Sequence, residues 1–266
     1  MQIAAIEASA VERFSLSVTL PILLEIGDSG GLLATGTLFK IAGRHFVITA
    51  RHIFDGVPDL TKLAYPENPI RGGLYTFGSF TVFKPDEEHI DVAAIELLST
   101  ETINRLEEGW QFLSLENVAA ASSVTNDGTF FVSGYPCSLT STEQGWTKGK
   151  LATAYTQRLP SPPFEAKAPV IPGLDLFFDY SLEATSVAGK NIQTPELPGV
   201  SGASVWELVA VRGVWTPEAA TRVIGVQSAY VHSKYIRVKT WWAVAKVLEK
   251  ADAQLAEAVR LKLNKI

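Results

Sequence analysis

Three segments carry side chains whose chemistries complement one another. The first, Thr49-Ala50-Arg51-His52, closes a β-branched run and sets an imidazole on the turn after it. Imidazole titrates near neutrality, so a histidine aimed from a strand end can take up and return a proton at working pH. The second segment sets Asp91 immediately before the apolar run Val92–Leu97. A carboxylate at a strand start can accept a hydrogen bond from an imidazole, which fixes the tautomer and stabilises the imidazolium. The third, Gly199-Val200-Ser201-Gly202, places a hydroxyl between two glycines. Glycine lets the backbone turn its N–H groups toward one point. Donors on Gly199 and Ser201 could then bind the oxyanion formed when Ser201 attacks a carbonyl. A serine hydroxyl is a weak nucleophile without a base, so the third segment needs the other two. Taken singly, each segment also reads as something plainer: a surface or core histidine, a turn aspartate, an ordinary Gly/Ser turn.

Short runs rich in β-branched and aromatic residues must position these groups. Strands are expected near Leu16–Ile26, Leu33–Ile41, His45–Thr49, Leu74–Phe83, Val92–Leu97, Thr129–Val132, Lys150–Tyr155, Leu174–Tyr180, Ser204–Val211 and Arg222–Val231. A helical turn is expected around Ala50–Asp55, and a helix over Thr100–Glu108 capped by Thr100. From Thr240 onward, Trp241, Val244, Val247, Leu248, Leu255, Val259 and Leu263 recur at helical spacing. This predicts one amphipathic C-terminal helix packed on the body. Many short strands with one terminal helix point to a sandwich or a barrel, and periodicity does not choose between them. The Pro-rich stretch Leu159–Pro172 reads as a long loop.

In chain order, the three segments resemble the trypsin-like serine peptidase family, closest to its bacterial and intracellular HtrA/Deg-type branches. The matching motifs are Thr49-Ala50-Arg51-His52, Asp91-Val92-Ala93-Ala94-Ile95 and Gly199-Val200-Ser201-Gly202, supported by Val132-Ser-Gly-Tyr-Pro136 and Ile224-Gly-Val-Gln-Ser-Ala229. The order His, Asp, Ser separates this family from subtilisin-like and α/β-hydrolase enzymes. The resemblance implies an all-β, chymotrypsin-like fold of two antiparallel β-barrels. Residues 1–120 would carry His52 and Asp91, residues 121–238 would carry Ser201, and residues 239–266 would form the C-terminal helix. It implies a peptidase with His52, Asp91 and Ser201 as the catalytic set, Gly199 and Ser201 as the oxyanion hole, and Ser228 beside Asp91. It also implies a substrate pocket drawn from Pro195, Gln227, Ser228, Ala229 and Tyr230. With no acidic residue at the expected pocket floor, cleavage after small or medium apolar residues is expected. Val200 stands where digestive relatives carry an aspartate that pairs with a newly cleaved N-terminus, which argues against that route of activation.

Composition narrows the remaining possibilities. Hydrophobic residues make up 47% of the 266, enough for a sizeable core and against disorder. The net charge of −5 gives no basic footprint for nucleic acid. No apolar stretch reaches ~18 residues, so no membrane-spanning helix is expected. Residues 1–15 lack a basic region followed by an apolar run, so no signal peptide is expected. Cys137 is the lone cysteine, which excludes an internal disulfide and suggests a cytoplasmic setting. The expected partners are a protein or peptide substrate and a regulatory protein, with no metal or organic cofactor. Gly27-Asp-Ser-Gly-Gly31 spells the digestive nucleophile motif but stands before the histidine, where a hairpin turn is the better reading. His45, His89 and His232 show no metal-ligand spacing.

Overall fold

The computed structural model describes residues 5–26, 29–69, 73–143, 146–186 and 190–265. Among these, the first half forms a curled antiparallel sheet of seven strands. They are β1 (Thr19–Ile26), β2 (Ser29–Ile41), β3 (Arg44–Thr49), β4 (Leu63–Pro66), β5 (Leu74–Thr76), β6 (Phe80–Phe83) and β7 (Ala93–Leu97), in spatial order β5-β4-β1-β2-β3-β7-β6. The second half holds the small hairpins β9 (Thr140–Glu143) with β10 (Trp146–Gly149), and β13 (Glu183–Thr185) with β14 (Asn191–Gln193). It also builds a six-stranded antiparallel sheet from β8 (Thr129–Gly134), β11 (Ala152–Thr156), β12 (Asp175–Asp179), β15 (Ser204–Leu208), β16 (Thr221–Val231) and β17 (Tyr235–Thr240). Its order is β11-β8-β15-β16-β17-β12.

The protein is therefore mostly β, with two curled sheets, but the expected barrels do not close into continuous ladders. In the second sheet a single bridge, Arg158 to Phe178, joins the strand-β11 tail to β12. In the first, the expected strand Leu74–Phe83 is broken between β5 and β6, where Gly78 takes a positive φ of 64°. That break leaves β5 and β6 as the two edges of the sheet.

One strand and two helical expectations also differ from the fold. The chain enters β1 from a helix, α1 (Ala5–Val18), where a strand was expected from Leu16. Its Ala8, Val11, Ser15 and Val18 are buried at spacings of three and four, a helical stripe. The helix α2 (Thr100–Gly109) is capped by Ser99, not Thr100: the Ser99 hydroxyl accepts the Thr102 N–H at 3.3 Å. The C-terminal helix is two helices, α3 (Trp241–Glu249) and α4 (Ala253–Leu263). Asp252 starts the second by accepting the Gln254 N–H at 2.8 Å, a side-chain cap that interrupts what periodicity read as one helix.

One core joins the halves. Phe39 and Ile48 of the first sheet, Phe131 and Trp206 of the second, and Val11, Trp241 and Val259 of the helices share a single buried cluster. Trp206 stacks on Phe131 with ring centroids 5.8 Å apart, and Trp241 meets Phe39 edge-on at 4.7 Å. Such pairs add about 0.5–1.5 kcal/mol each beyond their burial.

Candidate active site

The register of the first sheet brings His52 and Asp91 together. Strands β3 and β7 are antiparallel and pair Thr49 with Ala93. His52 stands three residues past that pair on one strand, and Asp91 two residues before it on the other. A one-turn 3-10 helix, His52–Phe54, then turns the imidazole back, as the expected helical turn required. Asp91 Oδ1 accepts the His52 backbone N–H at 2.9 Å, and Oδ2 lies 2.7 Å from Nδ1. The same carboxylate thus fixes both the backbone and the ring. The Asp91 hydrogen bond holds the His52 pKa above the ordinary 6.5, against the opposing effect of burial.

Ser201 reaches this pair from the second sheet. Its Oγ lies 3.1 Å from His52 Nε2. The turn that carries it runs into β15 and is tied to β16, with Gly202 N–H donating to the Gln227 carbonyl at 2.9 Å. Both flanking glycines are required. Gly199 and Gly202 have φ of 92° and 90°, and a Cβ on Gly202 would lie 2.1 Å from Thr49 Oγ1. Among the described residues, the N–H groups of Gly199 and Ser201 donate to no protein acceptor. Unpartnered donors in a turn are what an oxyanion site needs.

No protein-family model matches the chain. No curated protein matches it either. A solved structure from work described as "Aromatic interactions drive the coupled folding and binding of the intrinsically disordered Sesbania mosaic virus VPg protein" is similar over 86% of this chain and 87% of its own, at 13% identity and a TM-score of 0.47. A likeness of that degree adds no weight to a reading of the site.

Thr35, on β2, was not legible as a site residue, yet it holds the serine turn to the first sheet. Its N–H donates to the Ser201 carbonyl at 3.0 Å, and its hydroxyl donates to the Gly199 carbonyl at 2.7 Å. The same hydroxyl accepts the Tyr135 N–H at 3.0 Å, and its carbonyl accepts the Thr49 hydroxyl at 2.8 Å. A buried threonine inside a strand looks like any other in sequence, because only the docking of the second sheet reveals its partners.

Of the expected pocket residues, Gln227 and Ser228 are buried. Gln227 is fully buried, and neither polar atom of its side chain has a partner. The Tyr180 hydroxyl donates to the Pro195 carbonyl, and its ring meets Tyr230 edge-on at 6.5 Å. Ala229 is exposed. Ser228 is buried, and its hydroxyl donates to the Arg237 carbonyl at 3.4 Å rather than to Asp91. Register explains the difference, because the β16–β17 ladder slips between Gln227 and Ala229 and makes Ser228 the bulged residue. Asp175, on β12, is paired within the second sheet: Arg237 Nε and Lys239 Nζ lie 2.8 and 2.5 Å from its Oδ1.

The remaining expectations have simple outcomes. β1 and β2 form a hairpin that pairs Ile26 with Ser29, while Gly27 and Asp28 lie outside the described residues. His45 Nε2 sits 3.0 Å from Glu107 Oε1 of α2, a structural contact. Cys137 is exposed beside the serine turn, with its N–H on the Pro198 carbonyl at 2.7 Å, while partial desolvation of the sulfur against that turn pushes its thiol pKa up. A raised thiol pKa disfavours the nucleophilic thiolate. Among the described residues, no helix is long and apolar enough to cross a membrane.

Proposed function

We propose that the protein is a chymotrypsin-like serine peptidase that hydrolyses protein or peptide substrates through an acyl-enzyme. One observation carries the reading: an unbroken path from the Asp91 carboxylate through His52 to the Ser201 hydroxyl, 2.7 Å on one side of the imidazole and 3.1 Å on the other. In this mechanism His52 Nε2 takes the Ser201 proton as Oγ attacks the carbonyl carbon. The oxyanion rests on the Gly199 and Ser201 N–H groups. His52 returns the proton to the leaving amine, and water then releases the acyl group by the same steps in reverse roles. Asp91 keeps the imidazole in the reactive tautomer throughout.

The burial of Gln227 and Ser228, two of the expected pocket residues, favours a second reading, a protease-fold binding module or a latent enzyme awaiting a partner. A fluorophosphonate probe separates the two. Peptidase chemistry predicts a covalent adduct on Ser201, absent from Ser201→Ala and unchanged in Ser29→Ala. A wild-type protein that resists the probe supports the binding module, and an adduct on another serine sinks the assignment.

A further inference from the structure

A cavity of about 390 Å³ lies apart from the serine site, with which it shares no residue. Its volume falls in the range of small-molecule sites. Its walls are mainly apolar: Leu176 and Ile224 of the second sheet, Trp241 and Trp242 of α3, and Leu263 of α4. The Pro-rich loop closes it, through Pro162, Val170 and Pro172.

That loop is stapled in place. Arg237 donates to the carbonyls of Lys167 and Pro169, and Asp175 Oδ2 accepts the Ile171 N–H at 2.8 Å. Thr240 adds its hydroxyl to the Gly173 carbonyl at 2.7 Å. A wall fixed before a ligand arrives removes part of the ordering cost of binding.

The charge of the lining is unbalanced. Two charged residues line the cavity, Asp175 and Arg158. Asp175 is already paired with Arg237 and Lys239. Arg158 has no ion pair among the described residues. Its guanidinium makes one hydrogen bond, Nη1 to the Val124 carbonyl at 3.3 Å, which holds it at the cavity wall. Among the described residues its other N–H donors have no hydrogen-bond acceptor, and the Glu207 carboxyl, which acts on Arg158 through charge, makes no ion pair with it. A guanidinium at the wall of a mainly apolar cavity selects an oxyanion that it can bind through two parallel hydrogen bonds. We propose that this cavity binds a small organic monocarboxylate with an apolar body, its carboxylate on Arg158 and its body against Trp242 and Ile224.

The test titrates the full chain with 4-phenylbutyrate and with its neutral primary amide, followed by ligand-observed NMR. The acid should bind at least tenfold more tightly than the amide, the scale of a charge-assisted pair. Arg158→Gln should erase that preference. Ile224→Trp should fill the cavity and weaken both ligands, and Ser201→Ala should change neither. Equal affinity for acid and amide, or a preference that survives Arg158→Gln, would overturn the proposal. So would the absence of binding by either ligand at millimolar concentration. Because no arm reads hydrolysis, the result is independent of the peptidase assignment.

Discussion

Each residue of the site answers to a different physical demand. His52 must be neutral to act as a base, and Asp91 holds its pKa above the ordinary value. On the peptidase reading, activity should therefore rise with pH through a midpoint above 6.5. Asp91→Asn should move that midpoint down and cut kcat by about 10⁴-fold, because the wrong tautomer then faces Ser201. A pH–rate profile that is flat from pH ~5 to ~9 argues against His52 as the base. Thr35 acts at one remove. Thr35→Val deletes the hydroxyl bonds to Gly199 and Tyr135, and should lower kcat with little change in KM or in the pH midpoint. Thr35→Ser should restore the rate. Equal kcat in all three proteins would show that the turn needs no anchor on β2. Of these groups, His52, Asp91 and Ser201 were legible because their types and order are distinctive. Thr35 and Tyr180 were not, because their roles arise only from contacts between distant strands.

Strands and helices were legible where periodicity was strong and unreadable where context decided. β3, β7 and β16 match their expected spans closely, while β2 begins four residues before the expected Leu33. β17 was missed: its alternating Arg237 and Lys239 disguise a central strand whose charges are buried on Asp175. The α3–α4 break was missed because apolar spacing continues smoothly across it. Strand β15 carries the sharpest energetic consequence. Burial pushes the Glu207 carboxyl up to about 7 from 4.5. A carboxyl with a raised folded pKa favours the folded state most at low pH, and that contribution is lost as pH climbs from 4.5 through 7. The loss should amount to about 3 kcal/mol. Glu207→Gln should flatten this slope in urea melts taken between pH ~4.5 and ~8. An unchanged slope would mean that water reaches the carboxylate. On β16, Gln227→Leu should raise stability by about 1–3 kcal/mol by removing two unsatisfied polar atoms. If stability falls instead, the carboxamide has a partner that the fold alone does not reveal.

At the scale of the molecule, the shared core makes the two sheets one cooperative unit. Trp241→Ala should cost about 3–5 kcal/mol, since it empties a fully buried site where α3 meets Phe39. Thermal unfolding followed by near-ultraviolet circular dichroism should show one transition before and after the change. Two separated transitions would mean that the halves are independent. His52 and Asp91 adjoin β3 and β7 of the first sheet, and Ser201 the turn before β15 of the second. The N-terminal helix α1, whose Val11 enters the joint core, was not anticipated.

That division governs when the site can exist during synthesis. A ribosome releases His52 and Asp91 long before Ser201, and Ser201 before the helices that seal the joint core. A nascent chain holds an imidazole and a carboxylate with no hydroxyl to activate, and later a hydroxyl on a turn not yet docked on Thr35. The three groups can meet only once the second sheet has folded and its serine turn has docked on Thr35. On the peptidase reading, an unfinished chain cannot cut its neighbours, and a truncated one is disarmed by the same geometry.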